Sequence, residues 1–224
     1  MTPLPRSRYA LYVVLALAAA GTDLYSKHVV FRDLGYPASS ENRPHVPDRP
    51  GDHEQFEPAR DLAGNVIEGV SEAYLDGWVA FRLYTSFNEG ALWGVGQGGS
   101  WVFAALSVIA IVGVIYWLFL HGAAASAWLT VALALVSGGA LGNLYDRLGG
   151  HGCVNIATGE IRHAVRDFLL FSFGGWHWPV FNFADVFLVT GAVMLVLQSL
   201  LMPDPHPSEE PLPSEASEPA TTTK

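Results

Sequence analysis

The residues that could do chemistry stand at the ends of long apolar segments. The segment FNFADVFLVTGAVMLVLQSL carries Asn182 and Asp185 within its first five residues. The segment SGGALGNLYDRL carries Asn143, Asp146 and Arg147 within its last six. An ionisable group costs on the order of 2.5–3.5 kcal/mol at the centre of a membrane-spanning helix and less at its edge. Capping of a helix end explains any one of these residues. It does not explain why so many occur together, which indicates a functional site.

Two carboxyl groups that face each other across a partly dry site predict a specific chemistry. They cannot both ionise easily, so one keeps a proton while the other acts as a base toward a shared water. This is the chemistry of an aspartic peptidase. Asp167 and Asp185 bracket a loop that returns to the membrane at WHWPVFNFAD, so we expect the loop to bring the two carboxyl groups together.

The composition indicates a membrane protein that would position these groups. Half of the chain is hydrophobic and only 15% is charged, and the mean hydropathy is +0.28, as in polytopic membrane proteins. Four apolar runs approach the roughly 20 residues that a helix needs to cross a ~30 Å hydrocarbon core. We predict a mainly α, polytopic fold with four transmembrane helices, at about 9–31, 101–120, 126–146 and 183–202.

The first apolar run also has a second interpretation. Arg6 and Arg8 precede it and small residues end it, as in a cleavable signal peptide. The helical pattern nevertheless continues to Lys27, and Asp23 and Lys27 form an i,i+4 pair of favourable order, which favours a membrane span. The distribution of basic residues is mixed and slightly favours both termini on the cytoplasmic side.

The polar regions divide the rest of the chain. We predict one membrane peptidase domain over residues 1–202, with a long extracytoplasmic insertion at about 32–76 that is rich in proline and charge, and a disordered acidic tail at 203–224. From Gly77 the pattern GWVAFRLYTSFNEGALWGVGQG alternates as strands do and predicts a small extramembrane β-sheet. The loop from Arg147 to Pro179 contains tryptophans that suit the membrane interface.

Four spans would gather the unusual polar residues on one side of the membrane. The ends of spans one and three and the starts of spans two and four share that side, as does the loop with Asp167. A proton-coupled transporter that uses Asp23, Asp146 and Asp185 is an alternative, but a relay should distribute its acids through the membrane depth.

Other classes of function are disfavoured. The net charge of −9 argues against a nucleic-acid partner. Cys153 is the only cysteine, so neither an intramolecular disulfide nor a thiolate metal site can form. His-Glu-x-x-His and Gly-x-Ser-x-Gly patterns are also absent from the sequence. These absences disfavour a zinc peptidase and a serine hydrolase.

Five stretches of the chain resemble the lipoprotein signal peptidase (signal peptidase II) family of bacterial membrane aspartic peptidases. They are TDLYSK, NEGALWG, GGALGNLYDR, VRDF and FNFAD, in the order of the family. The resemblance implies cleavage of the signal peptide from diacylglyceryl-modified prolipoproteins just before the lipid-bearing cysteine, without metal or cofactor. It also implies a multi-pass protein of the bacterial inner membrane with its active site near the extracytoplasmic face. We expect it to act as a monomer.

The resemblance also assigns site residues. The catalytic pair would be Asp167 and Asp185, although a competing assignment makes Asp146 a member of the pair. Residues that would bind or orient the substrate and the pair are Asp23, Asn88, Asn143, Asp146, Arg147 and Asn182, with Asp146 placed so that it holds Arg147.

The chain departs from the family pattern in three places. The loop between Arg32 and Asp76 is long, Leu92 stands where an alanine is common, and Arg166 stands where an apolar residue commonly precedes the loop aspartate. We expect Arg166 to lower the pKa of its neighbour Asp167. We further expect the glycine-lined surface of the third span to admit the substrate from the lipid.

Overall fold

Four long helices dominate the fold. A computed structural model describes residues 6–35, 71, 73–90, 99–120, 123–154 and 159–201. The helices are α1 (Arg6–Leu34), α2 (Ser100–Leu120), α3 (Ala127–Arg147) and α4 (Phe183–Leu201). Each is long and apolar enough to cross a membrane. Most of the predicted insertion at 32–76 and the tail at 203–224 lie outside the described residues.

Helix α3 is central, because α1, α2 and α4 all pack against it. Its glycines allow the neighbouring helices to approach closely. A Cβ added at Gly138 would lie 2.6 Å from the Cβ of Ala19 on α1, and one added at Gly142 would collide with the carboxylate of Asp23. Small residues at such contacts let helices in a membrane pack backbone against backbone.

The outer surfaces of α2 and α4 are apolar. On α2, Ile109 and Val112 are 65% and 60% exposed, and on α4 Val196 and Leu200 are 57% and 70% exposed. Helices with apolar side chains on faces that no other element covers are typical of membrane spans. These faces suit contact with lipid.

A three-stranded antiparallel sheet completes the described fold. It consists of β1 (Val79–Asn88), β2 (Val165–Phe173) and β3 (Trp176–His177), in the order β1-β2-β3. The sheet packs against the end of α1, where the rings of Phe31 and Phe87 lie 5.5 Å apart. The predicted fold class, mainly α with four spans and a small extramembrane sheet, is therefore confirmed.

The partners of β1 come from a segment where the sequence predicted only a loop. Strand β2 lies inside the predicted loop from Arg147 to Pro179 and pairs with β1 so that Asn88 is opposite Val165 and Ser86 is opposite Asp167. The run VRDFLLFSF is rich in aromatic and β-branched residues, which favour strands. Its apolar residues do not alternate strictly with polar ones, so the strand lacks the period-two pattern by which strands are predicted from sequence.

Candidate active site

The start of α4 is built as a reciprocal cap. The side-chain Oδ1 of Asn182 accepts a hydrogen bond from the backbone N–H of Asp185 at 3.1 Å, and Oδ2 of Asp185 accepts one from the backbone N–H of Asn182, also at 3.1 Å. Such a pair satisfies two donors that the first helical turn leaves free. Asp185 also accepts a bond at Oδ1 from Nδ2 of Asn143, at 2.9 Å. Its carboxylate thus caps the helix and faces the neighbouring helix α3.

Strand β2 brings Asp167 to the same place. Oδ1 of Asp167 accepts a hydrogen bond from Nδ2 of Asn182 at 2.6 Å, and Oδ2 accepts one from Nδ2 of Asn88 at 3.0 Å. The pairing of β1 with β2 positions Asn88, because it places residue 88 two positions along the ladder from Asp167. Asn182 therefore donates hydrogen bonds to both Asp167 and Asp185.

The environment of Asp167 raises the pKa of its carboxyl group to about 7. Burial is the main cause, because it penalises the charged form, and the nearby negative charge of Asp185 adds to it. The expectation that Arg166 lowers this pKa is wrong. Adjacent residues of a strand point to opposite faces of the sheet, and the guanidinium of Arg166 binds Asp146 instead, with Nη2 2.8 Å from Oδ1.

Asp146 lies behind the site in a buried cluster of four charged residues. Its Oδ2 accepts the backbone N–H of Arg166 at 2.9 Å and lies 3.3 Å from Nζ of Lys27. Lys27 in turn donates to Oδ2 of Asp23 at 2.7 Å, and Oδ1 of Asp23 accepts the backbone N–H of Ala184 at 2.9 Å. The two acids and two bases, Asp23, Lys27, Asp146 and Arg166, balance each other in charge.

The expectation that Asp146 holds Arg147 is wrong. Consecutive residues of a helix point about 100° apart, so Asp146 faces α1 while Arg147 faces α2. Nη2 of Arg147 donates to the carbonyl oxygen of Gly90 at 3.2 Å, and its guanidinium lies 5.4 Å from the ring centre of Phe103. Nε of Arg147 is buried and has no hydrogen-bond partner within the described part of the chain.

A groove of about 410 Å³ runs beside the two carboxylates, between α2 and α4. We call it the α2–α4 groove. Its walls are Phe103, Leu106, Ser107 and Ala110 of α2 and Asp185, Leu188 and Val189 of α4, and its remaining lining is Asn88, Gly90, Ala140, Asn143, Arg147, Val165, Asp167 and Val180.

The glycine-lined surface of α3 is not part of this groove. Gly138 and Gly142 pack against α1, and Gly139 packs against α4, because a glycine at these positions is what lets the helices touch. The expected entry of substrate along the glycines is therefore wrong. Ala140, Asn143 and Arg147 form the α3 side of the groove instead.

The structure brings all eight predicted site residues into one region but divides them into two layers. Asp167, Asp185, Asn88, Asn143 and Arg147 line the groove, and Asn182 joins the two carboxylates. Asp23 and Asp146 are fully buried behind them. Leu92, one of the departures from the family pattern, lies outside the described residues.

Lys27 was missed as a site residue. The sequence indicated it only as an ion-pair partner of Asp23, yet its Nζ donates to Oδ1 of Asn143 at 3.0 Å. The presence of a lysine within a predicted membrane span was the available signal, because a buried ammonium group requires several acceptors. No group of three or more histidine, cysteine or acidic residues in the described ranges could hold a metal ion.

Comparison with known proteins identifies the family. A family model described as signal peptidase (SPase) II matches residues 15–201. A lipoprotein signal peptidase of Rhodopirellula baltica is 38% identical over 196 residues, which cover 87% of this chain and 74% of that protein. A lipoprotein signal peptidase of Bacillus pumilus is 39% identical over 140 residues, 62% of this chain and 81% of that protein.

Solved structures share the fold. A bacterial membrane enzyme determined by the in meso method at 2.3 Å resolution has a TM-score of 0.56 at 20% identity, and the match covers 89% of this chain and 92% of that enzyme. A second such enzyme has a TM-score of 0.53 at 21% identity. Together with the family match over most of its length, these likenesses leave one conclusion: the chain belongs to the signal peptidase II family and is a bacterial, multi-pass membrane peptidase.

Proposed function

We propose that this chain is an aspartic endopeptidase in which Asp167 and Asp185 activate a water molecule to cleave the signal peptide from diacylglyceryl-modified prolipoproteins, just before the lipid-bearing cysteine. Membership of the family carries the coarser function, which is cleavage of lipoprotein signal peptides. The catalytic pair and the position of the cleaved bond are the parts that we propose.

One observation carries the assignment of the pair. Asn182 donates to Asp167 through its side-chain Nδ2 and to Asp185 through its backbone N–H, so a single residue holds both carboxylates. Both line the α2–α4 groove. Two carboxyl groups that share one site and differ in environment are the arrangement in which one acts as acid and the other as base.

The environments favour a particular division of roles. Asp167 keeps its proton near neutral pH, since its pKa is raised to about 7 by burial and by the charge of Asp185. Asp185 lies in the first turn of α4, where the helix dipole and a backbone N–H stabilise a negative charge. Asp185 is therefore the base in the resting enzyme, and Asp167 is the acid.

The chemistry then proceeds in two steps. Asp185 removes a proton from water as the water oxygen attacks the scissile carbonyl carbon, and Asp167 transfers its proton to the carbonyl oxygen. In the second step Asp185 gives its proton to the departing amine, and the carbon–nitrogen bond breaks. Asp167 recovers a proton from the intermediate as the new carboxyl group forms, so both residues return to their starting states.

The groove suits a lipid-modified peptide. Its walls on α2 and α4 are mostly apolar, with Leu106, Leu188 and Val189 among them, and its inner end is polar. The acyl chains would lie between α2 and α4. Asn143 and Arg147 would bind the peptide backbone, and the buried Nε–H of Arg147 is a donor available for a substrate carbonyl within the described site.

Two competing interpretations are less well supported. Asp146 does not line the groove and is held by Lys27 and Arg166, which argues against it as a member of the pair. A transporter would need acids at several depths. The backbone of Ala184 bonds Asp23 at the start of α4, one residue before Asp185, so these acids lie at one level.

The proposal extends to orientation and assembly. The active site would face the extracytoplasmic side, as the family resemblance implies. Both ends of the helical bundle would then lie on the cytoplasmic side, because α1 begins and α4 ends at the opposite end of the helices from the two carboxylates. A single copy would suffice, since one chain supplies both carboxylates and both walls of the groove.

Asparagine substitutions test the catalytic pair. Asp167→Asn and Asp185→Asn keep the size of the side chain but remove the acid–base group, so each should lower the rate of cleavage of a lipid-modified precursor by about 10³-fold or more. The matched control is Asp33→Asn, which changes an exposed acid at the end of α1. Cleavage at the normal rate by a folded Asp167→Asn or Asp185→Asn enzyme would overturn the assignment.

A further inference from the structure

We propose that Lys27 is a positioning residue of the peptidase, which fixes the side-chain amide of Asn143 so that this amide donates its hydrogen bond to Asp185. The inference rests on the proposed function, because it concerns the base of the catalytic pair. Lys27 lies outside the groove and would act only through Asn143.

The ammonium group of Lys27 is buried among three oxygen atoms. The side chain of Lys27 has no exposed surface. Its Nζ lies 2.7 Å from Oδ2 of Asp23, 3.0 Å from Oδ1 of Asn143 and 3.3 Å from Oδ2 of Asp146. An ammonium group has three donors and no acceptor. The three oxygens therefore satisfy it completely and hold it in one position.

The contact with Lys27 sets the orientation of the Asn143 side-chain amide. Because Lys27 can only donate, the Asn143 atom that faces it must be the oxygen. The same oxygen also accepts Nδ2 of Asn182 at 3.2 Å. Nδ2 of Asn143 is then left to point the other way, where it donates to Oδ1 of Asp185 at 2.9 Å. A free asparagine amide can rotate by 180° and exchange its donor for an acceptor. Lys27, which makes the shorter of the two contacts to this oxygen, opposes the rotation together with Asn182.

The orientation of the Asn143 amide decides which atom faces the carboxylate of Asp185. With Nδ2 toward it, Asp185 receives hydrogen bonds on both carboxylate oxygens, one from Asn143 and one from the backbone of Asn182. A rotated amide would instead present its oxygen to the carboxylate, and two acceptors in contact repel unless the carboxyl group takes a proton. The correct amide orientation thus keeps Asp185 ready to act as a base.

Ion pairs with neighbouring residues allow a lysine to be buried at this position. Asp146 is already neutralised by Arg166, with Nη2 2.8 Å from Oδ1, and Asp23 is paired with Lys27 itself. The cluster is balanced in charge, so Lys27 contributes a fixed donor toward Asn143 without leaving a buried charge unpaired.

A double-mutant cycle between Lys27 and Asn143 tests the proposal. Lys27→Met keeps the length of the side chain and removes the donor, and it should lower kcat by on the order of 10²-fold with little change in KM, because only the geometry of the base is lost. In an enzyme that already carries Asn143→Ala, Lys27→Met should have almost no further effect on kcat, since the amide through which Lys27 acts is gone.

Two further variants separate positioning from folding. Tyr12→Phe removes a hydrogen bond between Tyr12 and Ser137, which joins the same helices α1 and α3 away from the site, and it should leave kcat unchanged. If Lys27→Met does not fold, the double variant Asp23→Asn/Lys27→Met replaces it, because it keeps the buried cluster neutral. The kcat of this double variant is then compared with and without the additional substitution Asn143→Ala.

The outcomes distinguish the two proposals. The positioning role would be overturned if Lys27→Met lowered kcat equally with and without the Asn143 side chain, or if it did not lower kcat at all. Asp167→Asn would still abolish cleavage in either case. An active Asp167→Asn enzyme would instead overturn the proposed function itself.

Discussion

At the scale of single residues, the site depends on amides as much as on carboxylates. Asn182 uses its backbone N–H, its Nδ2 and its Oδ1 to bind Asp167 and Asp185. An aspartate in its place would cap the helix equally well, but it would add a third negative charge and could not donate from its side chain. An amide satisfies both carboxylates without disturbing their charge, because it is neutral and carries both a donor and an acceptor.

The raised pKa of Asp167 predicts the alkaline side of the pH profile. The proposed acid works only while it is protonated, so kcat/KM should fall as pH rises through about 7 and then decrease about tenfold per pH unit. Asn88 stabilises the ionised form through its hydrogen bond, so Asn88→Ala should move this decline to higher pH. Initial rates of precursor cleavage from pH 5.5 to 9 measure both, and a decline that Asn88→Ala moves to lower pH would contradict the assignment.

At the scale of secondary-structure elements, α3 sets the distance between the two layers of the site. Gly142 lets the carboxylate of Asp23 lie directly against the backbone of α3. That contact places Asp23 where it binds Lys27 and the backbone of Ala184 at the start of α4. One position without a side chain thus fixes α1, α3 and α4 relative to each other at the level of the catalytic pair.

A methyl group at Gly142 should therefore be costly. Gly142→Ala would place its Cβ against Asp23, whose carboxylate cannot move without losing its partners, and should reduce the free energy of unfolding by roughly 1–3 kcal/mol. Gly113→Ala on α2 is the matched control, because no atom lies within 4 Å of its added Cβ. Thermal unfolding of the two variants in detergent gives the comparison, and equal melting temperatures would refute the packing argument.

At the scale of the whole molecule, the arrangement of helices decides how a lipid-linked substrate reaches the acids. Helices α2 and α4 each pack against α3 and form opposite walls of the α2–α4 groove. The apolar outer faces of both helices suit the bilayer. A substrate already held in the membrane by its acyl chains can therefore approach the carboxylates from the side rather than from water.

A bulky side chain in the groove should block this approach. Ala110→Trp adds an indole to the α2 wall and should lower kcat/KM for a lipid-modified precursor by about tenfold or more, with unchanged thermal stability. Ile109→Trp is the control, since Ile109 is 65% exposed and does not line the groove. If both tryptophan variants cleave the precursor at the normal rate, the groove is not the path of the substrate.

The sequence by itself determined the fold class, the four spans and the identities of the groups that meet at one side of the membrane. Helix length and hydropathy are local properties, and connectivity alone puts the ends of α1 and α3 on the same side as the starts of α2 and α4. The resemblance to a known family supplied which acids to expect as the pair.

Only the tertiary structure decided which partner each charged residue has. Arg166 was expected to act on the pKa of Asp167 but binds Asp146, and Asp146 was expected to hold Arg147 but binds Lys27 and Arg166. These pairings depend on the direction of each side chain and on strand β2, whose paired residues on β1 lie 77 to 94 positions earlier in the chain. Contacts between residues so far apart in sequence follow from packing, which spacing along the chain does not reveal.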